Sequence, residues 1–461
     1  MPARVLGRRA DLRDRPVLYK PRGRLKPERD DRADVHELCL DLSRDDVDRH
    51  RRLRPHRQVR GRGLDRPDHG LCELRRRAGD RISARGHGAR ARRAAVSARG
   101  AGVDLRHQRL DRVRHHLLGG KGVAALRVGK QTFVYEKPPE VASHASVVGP
   151  KEGGGPLADY FDVILDDDLL GMKSWELAES EMLRRCALLA MKEGGIPEGS
   201  AQAFFTGDLN DQIIASGFAG RALELPFVGL YGACSTFVEG LVLASGLISG
   251  GFLENALCAA SSHFCTAERQ FRLPLEMGTQ RTPSAQWTAT AAGCALLRRS
   301  DAKGRIRVTA GTLGKIVDYE IKDANHMGAA MAPAVESTIR MHLSDTGRSA
   351  ADFDLIVTGD LGWIGREILL ELFSRSGKPL PSEKLVDCGA SLYFQEQDPH
   401  AGGSGCGCVA SVSCGWIMKR MEEGELRRVL LTGSGAMMSP TSSLQAESIP
   451  SIAYAASLEV I

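Results

Sequence analysis

The sequence predicts an α/β fold with a largely parallel sheet, built as two similar halves, and three observations lead to that class. Strand-like and helix-like segments alternate from residue 130 onward. A strand, a small-residue turn and an apolar helix follow one another around Cys234, and a second glycine-rich turn at 402–407 also leads into a helix. The charged segment 298–305 separates two parts of similar size. These features together predict a duplicated architecture.

Each element is predicted from its hydrophobic pattern. Apolar residues that recur every three or four positions predict helices at 174–192, 236–248, 332–343, 366–374 and 411–423. Short apolar runs bounded by polar or glycine residues predict strands at 202–206, 255–260, 289–298, 306–312, 355–358, 384–388 and 428–432. The strand before Cys234 is predicted at 225–230.

Composition divides the chain into two unlike parts. Residues 1–126 hold 34 basic and 17 acidic side chains, a formal charge of +17, whereas the remaining residues hold 29 basic and 40 acidic ones, a charge of −11. The first part contains a single aromatic residue, Tyr19, and shows no sustained period of 2 or 3.6. Such a segment cannot bury enough apolar surface to offset the entropy lost on ordering.

Two interpretations of the arginine-rich part, 1–125, remain open. Arginine far outnumbers lysine and aspartate far outnumbers glutamate, which favours an out-of-frame extension, with the functional chain starting near Leu126 or Val128. The alternative is a disordered arm, and only if that arm is expressed does nucleic-acid binding become a third function. No nucleic-acid partner is therefore predicted. The domain prediction is an extension at 1–125 and two halves at 126–304 and 305–461.

The second part reads as an ordinary globular protein in a reducing compartment. No uninterrupted apolar run approaches the roughly 18 residues that span a bilayer. Its nine cysteines are odd in number and irregularly spaced, which does not suit a disulfide framework. Cys406 and Cys408 are too close together for a zinc or redox pair. We predict no metal and no cofactor.

Cys234 is the residue that the sequence marks most clearly. The segment 229–241 places it on a small-residue turn at the start of an apolar helix. Free N–H groups and the helix dipole at such a position stabilise a thiolate or a bound anion. The competing interpretation is a buried structural cysteine that behaves as a small hydrophobic residue.

Several motifs resemble one protein family. The turn at Cys234, the boundary near residue 300 and Gly433-Ser434-Gly435-Ala436 resemble the thiolase and ketoacyl-synthase superfamily. Segments 130–133, 266–272, 283–288 and 400–407 resemble its stage V sporulation protein AD family, over 128–461. The resemblance implies a thiolase-like five-layered αβαβα fold of two related halves, and a homodimer.

The resemblance also implies a function. It implies a soluble subunit that binds dipicolinic acid (pyridine-2,6-dicarboxylate) within the spore membrane complex that moves dipicolinate during sporulation and germination. The implied partners are the other stage V sporulation A-complex membrane proteins, and the implied location is the periphery of the spore inner membrane.

The alternative function is a thiolase- or ketoacyl-synthase-type acyltransferase that uses Cys234. Such an enzyme needs a base to form the thiolate and donors to hold the thioester oxyanion. In the segment where the superfamily offers a histidine or an asparagine–glutamate, this chain has Asp360. An ionised aspartate raises the pKa of a neighbouring thiol and donates nothing to an oxyanion, so this departure favours binding over catalysis.

Other residues are candidates for the site. His400, before the glycine-rich loop, is the second candidate catalytic residue, and His263 follows a predicted strand, whereas His342 suits a core helix. A dicarboxylate ligand needs cations for its carboxylates and an apolar face for its ring. The candidate cations are Arg269, Arg272, Lys322 and Arg366, and the candidate ring partners are Trp287 and Trp363.

Overall fold

The computed structural model describes residues 125–271 and 281–461. The predicted extension, 1–125, lies outside the described residues except for its last position, and so does Arg272. Both interpretations of the extension therefore stay predictions.

Strands make up the centre of the described part of the chain. They are β1 (Ala125–Val128), β2 (Thr132–Tyr135), β3 (Glu140–Val148), β4 (Val163–Ile164), β5 (Phe204–Gly207), β6 (Phe227–Gly229), β7 (Asn255–Ser262), β8 (Trp287–Thr288), β9 (Ala291–Arg298), β10 (Ile306–Thr312), β11 (Leu355–Thr358), β12 (Leu385–Asp387), β13 (Gly403–Ser404), β14 (Arg428–Ala436) and β15 (Ser451–Val460). β8 and β13 form a separate parallel pair, and the others belong to one large mixed sheet.

Helices cover the outer faces of that sheet, and others lie between its first and second halves. They are α1 (Pro150–Gly153), α2 (Trp175–Glu193), α3 (Ile214–Leu223), α4 (Thr236–Ser249), α5 (Phe264–Phe271), α6 (Met327–Thr346), α7 (Gly362–Arg375), α8 (Cys388–Ser391), α9 (Cys406–Val412), α10 (Met418–Glu422) and α11 (Pro440–Leu444). None of the helices in 125–271 or 281–461 is long and apolar enough to cross a membrane.

Two sets of five strands repeat one topology. The first set runs β6-β5-β7-β9-β3 across the sheet and the second runs β12-β11-β14-β15-β10, so both follow the order third, second, fourth, fifth, first. In each set four strands run in the same direction, and the fifth in chain order, β9 or β15, lies antiparallel between two of them. The predicted duplication is present. Within each set the prediction of a largely parallel sheet is also confirmed, because four of the five strands run in one direction and only β9 or β15 reverses.

The elements stack in the five predicted layers. α2 packs on β3, β7 and β9 of the first set, and α6 packs on β14 and β15 of the second. α4 lies between the sets, in contact with β5 and β7 on one side and with β14 and β15 on the other. Three separate hydrophobic clusters fill the two outer helix layers and the central one. Burying α4 on all sides requires the apolar sequence that first identified it.

Candidate functional site

The turn that carries Cys234 is held by its own hydroxyl groups. β6 ends at Gly229, and a 3-10 turn over Ala233–Ser235 leads into α4. The Ser235 hydroxyl donates to the carbonyl of Gly232 (2.6 Å), and the Thr236 hydroxyl donates to that of Ala233 (2.7 Å). Ala233 has a φ of +50°, a conformation that costs energy for a residue with a side chain. The surrounding structure therefore fixes this turn in one conformation.

A strand from the second half closes over the turn. A Cβ at Gly435 of β14 would lie 2.2 Å from the carbonyl oxygen of Gly232, so only glycine permits this approach. Cys234 is consequently buried, with 6% of its surface exposed. The segment 433–436, which the sequence analysis used only for resemblance, is thus part of the site.

Asp360 comes directly after β11 and meets Cys234 from the opposite half. The Cys234 thiol donates a hydrogen bond to its carboxylate. The carboxylate also accepts from the Gly405 backbone N–H (3.0 Å) and from the Ser434 hydroxyl (3.1 Å). Asp360 is completely buried, and this burial raises its pKa to about 7. The structure therefore brings together two of the predicted site residues, Cys234 and Asp360.

This environment disfavours a thiolate. Burial, and next the nearby carboxylate of Asp360 and the thiol of Cys406, raise the pKa of Cys234 well above its usual range. The Gly405 N–H lowers the pKa of Cys234, but its effect is smaller than those of burial and of Asp360. A thiolate stabilised by the helix N-terminus, which the sequence suggested, is therefore wrong, because desolvation outweighs the backbone donors.

The two candidate histidines have other partners. His400 lies with its Nδ1 2.7 Å from the carbonyl oxygen of Thr282 and its Nε2 3.1 Å from the carboxylate of Asp398. His263 is buried, its Nδ1 accepts from the backbone N–H of Cys265 (3.1 Å), and its Nε2–H therefore donates to the carbonyl of Asp168 (2.8 Å). Burial lowers the pKa of His263. Neither imidazole has Cys234 among its hydrogen-bond partners in the described part of the chain.

Among the described residues, the contacts of the other candidates do not include a hydrogen bond or an ion pair with Cys234. Lys322 is exposed on the loop before α6. Arg366 binds the carbonyls of Ser382 and Leu385 with its guanidinium, at 2.9 Å and 3.2 Å. Trp287 stacks on Phe264 with ring centroids 3.9 Å apart and lies under the Lys151 ammonium; Trp363 is 40% exposed at the start of α7.

Arg269 lies in a cavity of about 670 Å³, which we call the outer cavity. Its guanidinium forms an ion pair with Glu176 and lies 5.6 Å from the ring centroid of Trp175. The outer cavity is lined by Ser174, Glu176, Leu177, Asn210, Asp211, Ile214, Phe218, Arg221, Thr266, Arg269 and Gln270. Sequence reasoning did not single out Arg221 or Phe218, because a charged and an aromatic residue three positions apart on a helix carry no distinctive signal.

A buried acid network lies behind Asn210 and Thr266, two residues that line the outer cavity. The Glu179 carboxylate accepts from the Thr266 hydroxyl (2.8 Å), from the Asn210 amide (3.1 Å) and from the Ser261 hydroxyl (3.1 Å). Burial and the neighbouring Asp208 carboxylate raise the pKa of Glu179. The sequence analysis missed both acids, because Glu179 reads as an ordinary charged position on a surface helix.

The acid network continues toward Cys234. Besides burial, the charges of Glu179, Asp208 and Asp360 all raise the pKa of Cys406, so the Cys406 thiol lies among the three acids. The acid network therefore lies in space between the outer cavity and the Cys234–Asp360 pair. No group of three histidine, cysteine or acidic residues in the described ranges is arranged to hold a metal ion.

The fold has solved relatives. A 3-oxoacyl-(acyl carrier protein) synthase III from Aquifex aeolicus VF5 matches with 12% identity and a TM-score of 0.44, over 70% of this chain and 99% of that one. The cerulenin-bound OleA from Xanthomonas campestris matches with 14% identity and a TM-score of 0.47, over 72% of this chain and 97% of that one.

The sequence itself has a nearer relative. The stage V sporulation protein AD of Bacillus subtilis (strain 168) is 41% identical over 326 residues, which cover 71% of this chain and 96% of that protein. The sequence model of the family described as stage V sporulation protein AD matches residues 129–459. This match covers the whole described site and both sets of strands. The chain belongs to the stage V sporulation protein AD family, and its role lies in sporulation.

Proposed function

We propose that the protein binds dipicolinic acid and does not catalyse a condensation. In this proposal it is the dipicolinate-binding subunit of the spore membrane complex that moves dipicolinate during sporulation and germination. The family supplies the sporulation role, and the arrangement of the site supports binding over catalysis.

The hydrogen bond from Cys234 to Asp360 carries the proposal. A condensing enzyme needs a thiolate and N–H or cationic donors aimed at the developing oxyanion. Here the acceptor of the thiol proton is a buried carboxylate that raises the pKa of the thiol. The Gly405 N–H and the Ser434 hydroxyl, which would be the obvious donors, both bind that carboxylate. His400, the candidate base, is bound to Thr282 and Asp398 instead.

The test of binding is calorimetric titration of the full chain with dipicolinate, with benzoate as the monocarboxylate comparison. We expect saturable heat with dipicolinate. Cys234→Ala should keep the fold and change the affinity more than Cys265→Ala, which removes a half-buried thiol outside the site. Absence of saturable binding by the wild-type chain would refute the proposal, and equal affinity in Cys234→Ala would place the ligand away from the thiol.

The second candidate function is acyl transfer through Cys234. The observation that favours it is the Gly405 N–H, which acts on the sulfur and is the kind of donor an acyl-enzyme needs. Incubation with acetyl- and malonyl-thioesters decides between the two functions. We expect no condensation above the uncatalysed rate, whereas turnover that disappears in Cys234→Ala would establish the enzyme.

We also propose a homodimer, formed through the edge of the sheet. β6 ends the strand order, and the side chains of Phe227 and Tyr231 at this edge are 40% and 50% exposed. An apolar sheet edge of this kind is a template for pairing with a second copy. Sedimentation equilibrium should show a dimer for the wild-type chain and a monomer for Phe227→Lys. A wild-type monomer would exclude this interface.

The proposed location is the periphery of the spore inner membrane, reached through the other stage V sporulation A-complex membrane proteins. Residues 127–461 carry a net negative charge, which anionic lipid repels. The protein should therefore fractionate with the inner membrane only in spores that contain those partners. Membrane association in a strain that lacks them would refute docking through proteins.

A further inference from the structure

A row of charged residues crosses the large sheet at one end of its strands. Five neighbouring strands place directly opposed residues there, and opposed residues share one face of a sheet. Taken from β14 to β9, the row is Arg428, Glu459, Arg307, Glu140 and Arg298. The row alternates in charge and joins the two sets of strands.

The row lies at the end of the sheet that is remote from Cys234. β14 begins at Arg428 and reaches the Cys234 turn only at Gly435, seven positions further along the strand. Seven positions of a strand span roughly 23 Å. A molecule bound at the row therefore leaves the Cys234–Asp360 pair uncovered.

Glu140 of the row has two arginine partners. Its carboxylate is buried, accepts from Nε of Arg305 (2.9 Å) and lies 3.4 Å from the guanidinium of Arg298. Arg305 is exposed and Arg298 is partly exposed. A guanidinium carries five N–H donors, so both side chains keep donors that point toward solvent after binding Glu140.

The same arrangement recurs at Glu459 in the second half. Its buried carboxylate lies 2.7 Å from Arg348 and 3.6 Å from Arg428. Between the two glutamates, Arg307 donates to the carbonyl of Ala302 (2.6 Å). Arginine therefore outnumbers glutamate in this part of the sheet, and the excess is positive charge.

The segment after β9 adds two more cations. Arg299 pairs with the exposed Glu254 (2.9 Å), and Lys303 is exposed. We call the row, its additional arginines and this segment the basic end, which consists of Arg298, Arg299, Lys303, Arg305, Arg307, Arg348 and Arg428 with Glu140, Glu254, Asp301 and Glu459. It has a formal charge of +3, in a part of the chain whose charge is −11.

An exposed aromatic residue borders the basic end. Phe252 lies in the loop between α4 and β7, and 80% of its surface is exposed. A Cβ at the neighbouring Gly251 would lie 3.4 Å from the guanidinium of Arg299, so cation and loop are adjacent. Covering a phenylalanine that is this exposed removes apolar surface from water, which favours association.

We propose that the basic end is the docking surface for an acidic, extended segment of a protein partner, with Phe252 as the apolar anchor. This inference rests on the proposed location, because it names the surface through which the chain reaches its membrane partners. Guanidinium groups bind carboxylates through paired hydrogen bonds, which suits aspartate and glutamate side chains. The row spans four strand spacings, roughly 19 Å, which is the length of about six extended residues.

Charge favours a protein segment over a lipid surface as the occupant. A membrane is broad, so it meets the field of the whole 127–461 part, which is net negative and is repelled by anionic lipid. A narrow acidic segment contacts the basic end alone, since more distant charges are screened beyond about 8 Å at physiological salt. The occupant is therefore a peptide segment with an excess of aspartate and glutamate.

The first test is photo-cross-linking of the full chain in spores, with benzoylphenylalanine in place of Phe252. We expect a covalent adduct with a partner peptide in which acidic residues outnumber basic ones, as identified by mass spectrometry. The same photoreactive residue in place of Leu444, which is 88% exposed on α11, is the matched control and should not give that adduct. The proposal is overturned by an adduct with lipid, with a second copy of this chain or with a segment that lacks an acidic excess, and also by the absence of an adduct.

The second test removes charge from the basic end. Arg299→Gln combined with Lys303→Gln leaves both buried glutamates with their arginines, because the partner of Arg299 is the exposed Glu254. The share of the protein in the inner-membrane fraction of spores should fall at least threefold, and the calorimetric affinity for dipicolinate should stay within twofold. Arg184→Gln combined with Arg185→Gln on α2 makes the same change of charge outside the basic end and should leave that share within twofold.

The outcomes separate this inference from the proposed location. If the wild-type chain is absent from the inner-membrane fraction, the proposed location fails and the docking surface fails with it. If the wild type is present and the Arg299/Lys303 double variant remains there, the docking surface is wrong and the location stands. A double variant that also loses its dipicolinate affinity is altered in its fold, and that result too overturns the assignment of these two cations to docking.

Discussion

The Cys234 thiol of the first half donates its hydrogen bond to the Asp360 carboxylate of the second half. The two residues are 126 positions apart in the sequence: Cys234 lies in the turn between β6 and α4, and Asp360 lies two residues after β11. Both are buried, and the carboxylate raises the pKa of the thiol. The hydrogen bond from the thiol lowers the pKa of the carboxylate in return, but burial outweighs it and raises that pKa to about 7. The thiol at the start of α4 therefore stays protonated, because burial and the Asp360 carboxylate both raise its pKa.

The first prediction concerns the reactivity of Cys234. Asp360→Asn removes the buried carboxylate, so the pKa of the thiol should fall and alkylation by iodoacetamide at pH 8 should speed up. Each unit of pKa gives about tenfold more thiolate. Peptide mass spectrometry reports the labelling of Cys234 separately from that of the other cysteines. Cys265, whose pKa burial also raises, is the internal control and should keep its rate. An unchanged rate at Cys234 would contradict the role given to Asp360.

The second prediction concerns pH and stability. Burial raises the pKa of Asp360 and of Glu152 to about 7, and it raises that of Glu179 as well. Between about pH 4.5 and 7 the folded protein therefore holds protons that the unfolded chain has released. The free energy of unfolding should fall as pH rises through this window, by up to about 1.4 kcal/mol per pH unit for each group. Urea unfolding at pH 5.5 and pH 7.5 measures the slope.

Glu179→Gln should reduce that slope, because it removes one of the buried acids. Glu181→Gln on the same helix is the matched control: Arg184 and Arg185 lower the pKa of Glu181, so it does not titrate in this window. A free energy of unfolding that rises with pH in the wild type would contradict the burial of these protons. So would a pH dependence that Glu179→Gln leaves unchanged.

The third prediction concerns the glycine that lies against the Cys234 turn. Gly435→Ala places a methyl group about where the carbonyl of Gly232 now lies, so the turn or β14 must move. We expect a loss of about 1–3 kcal/mol in the free energy of unfolding, as is usual for overpacking. Gly217→Ala in α3 meets nothing within 4 Å and should instead stabilise the helix by about 0.5–1 kcal/mol. Equal effects of the two substitutions would mean that the contact at Gly435 is not tight.

The fourth prediction concerns membranes. A chain of residues 126–461, which corresponds to almost the whole of the Bacillus subtilis relative, carries a formal charge of −11. It should not sediment with vesicles of anionic lipid at physiological salt, because like charges repel. If the arginine-rich part is expressed, the full chain should sediment with the same vesicles at low salt. Sedimentation of the 126–461 chain would reveal a lipid-binding surface.

The elements that the sequence predicted well share a distinct pattern. α2, α4 and β10 lie within one or two residues of their predicted bounds, because each has apolar residues at a clear helical or strand-like spacing. β15 was missed, since its run of alanine and serine has no alternation. That strand is covered on both faces, and small residues are selected there by close packing, which hydropathy does not report.

The residues of the site also divide into those with a local sequence signal and those without one. Cys234 was recognisable because its turn and helix are local, and Asp360 was recognisable because it departs from a family pattern. His400 resembled a catalytic residue in sequence, but its ring nitrogens lie against the carbonyl of Thr282 and the carboxylate of Asp398. Glu179 carried no local signal at all.

The sequence by itself determined that the chain holds two α/β halves, that Cys234 begins a buried helix, and that the first 126 residues differ in kind from the rest. These are consequences of composition and of spacing between near neighbours. The tertiary structure alone decided that Asp360 accepts the hydrogen bond of the Cys234 thiol, that buried Glu179 and Asp208 lie between this pair and the outer cavity, and that Arg221 and Arg269 line that cavity. Those relationships depend on burial and on distances between residues far apart in the chain, and the protonation of a carboxylate or a thiol is set by both.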